Sequence, residues 1–544
     1  MSPVRPPPLP ASPFAPLSLL CLVPPDSLLH AFLLETHSLL SRFPALLALV
    51  EADLDADALR KKALRLQDAQ WIDNHTLPLP TIVTPPPSAP APLSLQQGRP
   101  RTPAYVVFFA LLLRGFLSAG FKARPVASQL QESISLHVFF ANLSLKLPGA
   151  STLTDLCNAV TNETRLRILD AQIAAALELE LDDFTIMLQD STHVGGHTEW
   201  PTESRLMVAL CGRLLRVGGK LDRLDLPRVG SPVARELLGE MVTLDREIDM
   251  DRNRKNSARR RRRNYEQLLK KGKRVHKILA EQVAPLAALL AALDRLPSRK
   301  LRAARVVAHL HEDLDALTKV FSTCEARVLR GEKVKMAEKV LSLSDPDAAF
   351  IAKGQREPVV GYKPQLARSG SGLITGLLLP KGNASDSHQL VPMFNAVYER
   401  THVVPEVVSV DDGYSSAENV RALKARMREL LAEQAQGAKV NGEELHDEKF
   451  ILSLSGSKGR ALTAAADWDS DDYEQARDLR SAVESLMFTL KQGFHFGEVA
   501  RRGLSAAYAD LLEKALAYNT CRTIRLRQVR AAEVEAESQS ALAA

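Results

Sequence analysis

Residues Phe184 to Asp190 read FTIMLQD, and residues Val407 to Tyr414 read VVSVDDGY. Each is a short apolar run that ends on an acidic residue, and glycines soon break the chain, at Gly195 and Gly196 in the first case and Gly413 in the second. Such runs, bounded by breakers, predict strands. The first strand, Phe184 to Leu188, delivers Asp190 at its end, and the second, Val407 to Val410, delivers Asp411. Further β-type segments at Val359 to Leu366 and Leu373 to Leu379 flank the hairpin turn Ser369 to Gly372. Helices are predicted over Asp386 to Tyr398, Ala417 to Gln434 and Asp472 to Lys491, with another strand at Phe450 to Leu454. This alternation is that of an α/β layer fold.

Outward from that core the chain changes character. Residues 1–25 hold nine prolines and read as a disordered leader. Residues 26–76 show helical apolar spacing through Leu29, Phe32, Leu33, Leu39, Leu40 and Leu46, the mark of a small helical unit. Nine more prolines lie between Pro78 and Pro103, so 77–103 reads as a semi-rigid linker. Residues 104–180 read as a helical DNA-binding region, in which Tyr105 to Leu156 gives three short helices broken near Gly120, Pro125 and Pro148, a helix-turn-helix-like pattern set against plain helical packing as the alternative. The core then begins at 181–234, is interrupted by a helical insertion at 235–339, and resumes over 340–530 before a tail at 531–544.

Composition narrows the class without naming it. The chain has 544 residues, 45% hydrophobic and 25% charged, enough for a large core. A net charge of +6 and a pI near 9.0 are mild at this length, so any nucleic-acid argument must come from how charge is distributed. The five cysteines, Cys21, Cys157, Cys211, Cys324 and Cys521, are far apart and give no zinc spacing or disulfide framework, which fits a reducing cytosol. Leu17 to Val23 is hemmed by prolines, and Ala104 to Leu113 stops at Arg114, too short to span a bilayer. The expectation is a cytoplasmic protein with no membrane partner.

Three sequence blocks carry the chemistry. Asp190 sits in QDSTHVGGHTEWPTESRLM, Asp411 in VVSVDDGYSSAENVRAL, and Glu484 in RSAVESLMFTLKQGFHFGEVARRG, where Arg480, Glu484 and Lys491 are spaced R-x3-E-x6-K. Singly each has an ordinary reading, since an Asp after a strand is commonly a turn residue and Arg480 with Glu484 is an i,i+4 ion pair. In this order the blocks resemble the insertion-sequence DDE transposases, closest to the bacterial ISNCY-like group. RVLRGEKVKMAEKVLSLSDPDAAFIAKG, VVGYKPQL and the GNASDS run of Gly382 to Ser387 resemble further family landmarks. The resemblance covers about Tyr105 to Arg527. One departure is Arg477, where the family often has tyrosine.

The resemblance implies a ribonuclease H-like catalytic core in which Asp190, Asp411 and Glu484 bind metal, and in which Arg480 and Lys491 contact transposon-end DNA. Three carboxylates suit two magnesium ions, with manganese as a substitute, because hard cations favour oxygen ligands and phosphodiester chemistry needs both the attacking and the leaving oxygen stabilised. The implied activity is binding of terminal inverted repeats followed by metal-dependent cleavage and strand transfer, with double-stranded DNA as partner and a homodimer on DNA. The other readings are a transposase-derived DNA-binding protein without catalysis and a ribonuclease H-like nuclease that cuts without joining. Strand alternation lets only one of the adjacent aspartates Asp411 and Asp412 reach the metals, because neighbours point to opposite faces, but does not say which. The family block assigns Asp411.

A second feature is the run Arg252 to Arg274, in which 12 of 23 residues are Lys or Arg. It contains Arg259, Arg260, Arg261, Arg262 and Arg263 in succession, then Lys270 and Lys271. These are candidate DNA contacts, set against a solvated helix face. Weaker signals are Gly456 to Arg460, read as a turn rather than a phosphate loop, the acidic cluster Asp467, Asp469, Asp471 and Asp472, read as a solvated loop, and His193 with His197, whose intervening glycines oppose a shared metal.

Overall fold

The computed structural model describes residues 27–75, 102–117, 136, 139–141, 145, 147–196, 202–251, 254, 257–335, 338–352, 358–441 and 450–543. The leader at 1–25, most of the linker at 77–103 and residues 118–135, 137–138, 142–144 and 146 of the helix-turn-helix-like stretch lie outside these residues. The described strands are β1 (Ile186–Ser191), β2 (Val194–Gly195), β3 (Ala349–Ile351), β4 (Val359–Tyr362), β5 (Gln365–Arg368), β6 (Ile374–Leu378), β7 (Val407–Val410) and β8 (Ile451–Leu454). The protein is mixed α/β and mostly helical. It divides into two compact units, one from described residues within 1–56, 96–197 and 351–544, the other from those within 57–95 and 198–350.

The first unit is built on a five-stranded sheet of order β6-β5-β1-β7-β8. β1 runs parallel to β7, and β7 parallel to β8, while β5 is antiparallel to both β1 and β6. Side chains alternate across a strand, and the two faces feed different cores. Leu188 and Leu366 join a core made by Phe32 and Leu33 of helix Leu28–Arg42, Phe108 and Leu112 of Ala104–Leu117, Val483 and Leu490 of Ser481–Gly493, and Leu511 and Leu516 of Leu504–Ala543. Met187, Ala367, Val408 and Val410 face the other way, onto Met393 and Phe394 of Leu390–Thr401 and Leu423 of Ala417–Asn441. The sheet is therefore covered on both sides by helices, as parallel strands require.

Local chemistry explains the differences from the sequence reading. Val359 to Leu366 is not one strand, because Lys363-Pro364 separates β4, which pairs with β2, from β5 in the main sheet. Gly361 lies opposite Gly195, and a Cβ there would stand 2.0 Å from the Val194 carbonyl oxygen, so only glycine permits that approach. The predicted helix Asp472 to Lys491 is two helices, Asp471–Asp478 and Ser481–Gly493, with Leu479 and Arg480 at the break. Gly456 to Arg460 opens a short helix, Gly456–Leu462, and the acidic cluster flanks the start of Asp471–Asp478, where carboxylates favour the helix dipole.

The second unit is helical. Its helices Glu203–Gly218, Pro232–Met250, Ala258–Val283, Leu286–Ala292 and Pro297–Cys324 bury Met207, Leu210, Met241, Leu268, Val275, Leu310 and Leu317 in one core. The boundary read from sequence at 234/235 falls inside the Pro232–Met250 helix. Thr202 and Ser231 cap their helices by accepting the amides of Arg205 and Ala234. The helical run Ala258–Ala292 has an apolar window long enough to cross a membrane by length and composition. Leu279, Val283 and Leu286 in that window are core residues of this unit.

One buried charge cluster ties the first unit together. The Glu513 carboxylate is 2% exposed and accepts from Arg165 Nε and Nη2 at 3.0 and 2.7 Å and from Arg501 Nη2 at 2.9 Å, with Arg114 Nε at 3.3 Å. Glu513→Ala leaves these guanidiniums facing one another without their carboxylate. It is expected to cost about 3–5 kcal/mol in chemical denaturation, with Glu513→Gln less damaging because it keeps one acceptor oxygen.

Candidate active site

The register of β1 with β7 sets the site. Gln189 lies opposite Val410, so Asp190 and Asp411 are the next neighbours at the carboxyl end of two parallel strands. Gln189 and Val410 point to the face of helix Leu390–Thr401, which turns Asp190 and Asp411 to the opposite face, where helix Ser481–Gly493 packs beside β1. That helix carries Glu484 in its first turn. Arg368 of β5 pins it by donating to the Ala482 carbonyl oxygen at 2.6 Å. Asp190 and Asp411 thus stand side by side on the sheet face against which the helix bearing Glu484 packs.

Their detailed environments differ. Asp190 is 8% exposed and accepts the Ser191 amide at 2.6 Å. Asp411 accepts the Asp412 amide at 2.8 Å and the Ser455 hydroxyl at 3.2 Å. Arg480 stands between the other two, with Nη2 3.0 Å from Glu484 Oε1 and Nη1 3.7 Å from Asp411 Oδ1. Asp411 and Glu484 therefore already share one cation, which shows the excess negative charge at this edge. Among the described residues no three His, Cys, Asp or Glu side chains are arranged as a complete metal-holding group. Below Asp411 on the same face, the buried hydroxyls of Ser409 and Ser453, neighbours in register, have no hydrogen-bond partner among the described residues and extend the polar edge inward.

Asp412 is employed elsewhere. Its Oδ1 accepts the amides of Lys458 and Gly459 at 3.1 Å each, at the start of helix Gly456–Leu462. Gly456 has φ +84°, and a Cβ there would stand 2.6 Å from Asp412 Cγ, so glycine is required both by the backbone and by the carboxylate.

Sequence reasoning did not single out the polar network on the opposite face of the same edge. Lys363 Nζ lies 2.9 Å from Asp386 Oδ2, Gln365 Nε2 donates to Asp386 Oδ1 at 2.8 Å, and the Tyr414 hydroxyl donates to Gln365 Oε1. Burial pushes the Tyr414 phenol well above its ordinary value, and the Asp386 and Asp190 carboxylates push it further. Asp386 belongs to the GNASDS run, and Tyr414 follows Asp411 by three residues, so the signal was present in blocks whose internal contacts only the fold supplies. Phe488 was also missed: it is 67% exposed and one helical turn beyond Glu484, on the way to Lys491. Arg477 lies over the Trp468 ring, 4.6 Å from its centroid.

In the helical unit, the candidate cations separate by what they touch. Arg260 pairs with Asp251, Arg262 with Glu266 at 3.4 Å, and Lys271 with Glu240. Arg261 lines a cavity of about 340 Å³ with Tyr265, Ser204 and Arg327, where Arg327 pairs with Glu203 at 2.6 Å. Arg259, Arg263 and Lys270 are exposed.

Residues 321–520 match the family model of the transposase DDE domain, a span that includes Asp411 and Glu484 but not Asp190. No curated protein and no solved structure matches the chain. The domain match supports a DDE-type transposase, an enzyme acting on DNA, from a family that generally uses divalent metal ions.

The two aspartates at 411 and 412 are expected to separate cleanly on mutation. Asp411→Asn should lose DNA cleavage, whereas Asp412→Asn, which keeps an oxygen for the Lys458 and Gly459 amides, should retain most of it. Asp412→Ala removes that acceptor and should lower stability by about 1 kcal/mol, read as a shift in the denaturation midpoint. Loss of cleavage in Asp412→Asn with Asp411→Asn active would move the assignment by one residue.

Proposed function

We propose that the chain is a transposase that binds the terminal inverted repeats of an insertion sequence, cleaves DNA and joins the freed end to a target, on a ribonuclease H-like core. The observation that carries this reading is the β1–β7 register, which makes Asp190 and Asp411 neighbours on the sheet face that also receives Glu484. The strand order β6-β5-β1-β7-β8, with β5 alone reversed, supports the ribonuclease H-like assignment. The three motif blocks support the ISNCY-like group.

The donor set is three carboxylates, two of which already hold a guanidinium between them, and such a set fits hard divalent ions. Two magnesium ions bound by Asp190, Asp411 and Glu484, with manganese able to substitute, supply an activated oxygen nucleophile and stabilise the leaving oxygen. Arg480 then exchanges its carboxylate partners for DNA phosphate, since a guanidinium binds either anion through the same fork of donors. Lys491, two turns beyond Glu484 on the same helix, extends that contact along the DNA end. Holding two ends at once calls for a homodimer on DNA, and a cytoplasmic, nucleoid-bound bacterial protein fits this partner.

Asp190→Ala, Asp411→Ala and Glu484→Ala should each abolish magnesium-dependent nicking and joining of end DNA while leaving end binding largely intact, as measured by gel shift beside a strand-transfer assay. Calcium should support binding without cutting. Full cleavage by any of the three variants removes that residue from the site. Cleavage without a covalent end-to-target product makes the protein a nuclease instead.

A further inference from the structure

The helix Ala258–Val283 carries nine of its unit's cations between Arg259 and Arg274, and ion pairing sorts them by face. Arg260, Arg262, Lys271 and Lys273 are held by Asp251, Glu266, Glu240 and Glu325. Arg261 turns toward Tyr265 and the cavity. Arg259, Arg263, Lys270, Arg274 and, one turn further, Lys277 are exposed and have no ion-pair partner among the described residues. At 3.6 residues per turn these five fall within an arc of about 60° and span about 27 Å of helix. Glu266 lies on the same line, but its charge is met by Arg262 at 3.4 Å. The opposite side, through Leu268, Leu269, Val275 and Leu279, is buried in the unit's core, which fixes the helix so that the stripe faces outward.

An ordinary solvated face mixes charges and pairs them with neighbours, as the rest of this helix does. Five cations in one line, unpaired among the described residues, raise a positive ridge whose self-repulsion a polyanion relieves by displacing small counterions. The ridge is a straight, extended row along one helix, so it suits a repeating linear anion more than a single phosphate. A length of about 27 Å matches roughly eight base pairs of duplex rise. We propose that Arg259, Arg263, Lys270, Arg274 and Lys277 form a sequence-independent docking ridge for the phosphate backbone of duplex DNA, and that the ion-paired Arg260, Arg262, Lys271 and Lys273 take no part in it. The proposal rests on DNA being the partner, as in the function proposed above, and it adds Arg274 and Lys277 while removing Arg260, Arg261, Arg262 and Lys271 from the contacts read in the basic run.

The test uses the full chain and duplexes of unrelated sequence, with affinity measured against salt concentration. The variant Arg259→Gln, Arg263→Gln, Lys270→Gln, Arg274→Gln, Lys277→Gln should bind every duplex at least about tenfold more weakly and flatten the log-log salt slope by up to roughly 4.5, at about 0.9 per phosphate contact. Replacing the three ridge arginines by lysine should keep the slope. Replacing Arg260, Arg262, Lys271 and Lys273 by Gln should leave the slope nearly unchanged, and circular dichroism confirms that each variant is folded. Unchanged affinity and slope in the fivefold variant, or an equal loss in the paired-cation variant, overturns the ridge even where wild-type cleavage stands. Ridge-dependent binding by a wild-type protein that shows no metal-dependent cleavage overturns the enzymatic reading and leaves the ridge in place. A wild-type protein that binds no duplex overturns both.

Discussion

Parallel pairing of β1 with β7 is the constraint on which the candidate site depends. Between these two strands the chain passes through the helical unit, the β5–β6 hairpin and helix Leu390–Thr401 before it returns to lie beside its starting point. The side-chain period of a strand is two, so a one-residue slip would send Asp411 to the face that holds Phe394 and leave Asp190 without its neighbour. Register is held because both faces are apolar and different: Leu188 can serve only the core under helix Ser481–Gly493, and Met187 and Val408 only the core under Leu390–Thr401. Packing of ordinary hydrophobic residues thus decides where two carboxylates stand.

Charge is used in two opposite ways in the first unit. At Glu513 an excess of guanidinium surrounds one buried carboxylate, which takes all its contacts from Arg114, Arg165 and Arg501, although Arg114 Nη1 is left without a hydrogen-bond partner among the described residues. At the carboxyl end of β1 and β7 the imbalance is reversed, with one guanidinium between two half-open carboxylates and a third close by. A buried cluster of the first kind locks helices together. An open one of the second kind keeps free valence for a ligand, because Arg480 can be displaced at the modest cost of an exposed ion pair. Asp412, adjacent in sequence to Asp411, shows how finely this is divided: one residue further along, the carboxylate is spent on the amides of a helix start.

The helical unit makes the same point about composition. Residues 259–263 look uniform as five arginines, yet the helix distributes them among an aspartate, a glutamate, a cavity wall and open solvent. A run of like charges specifies attraction to anions in general. The faces of the helix specify which of its members remain able to act on it.

Much of the core was legible in the sequence because it is local. Val407 to Val410 and Phe450 to Leu454 are apolar runs between breakers, Ser369 to Gly372 is turn chemistry, and the amphipathic helices of the second unit show their period, so the corresponding elements are where those patterns put them. The carboxylates of the three blocks were legible as candidates through order and spacing. Other features depend on contacts between distant segments and carry no local signature. The break at Leu479-Arg480, the separation of β4 from β5 into different sheets, the joining of Phe32 with Phe108 and Leu512 in one core, and the pairing of Lys363 with Asp386 are of this kind. Sequence by itself determined which residues can be strands and helices and which carboxylates stand as candidates, since φ/ψ preference, hydrophobic period and side-chain chemistry belong to each residue and its near neighbours. Only the tertiary structure decided which face each strand turns to which helix, which distant groups each aspartate of the pair is bonded to, and which cations of the basic helix are left unpaired among the described residues, because those outcomes are set by residues far away along the chain.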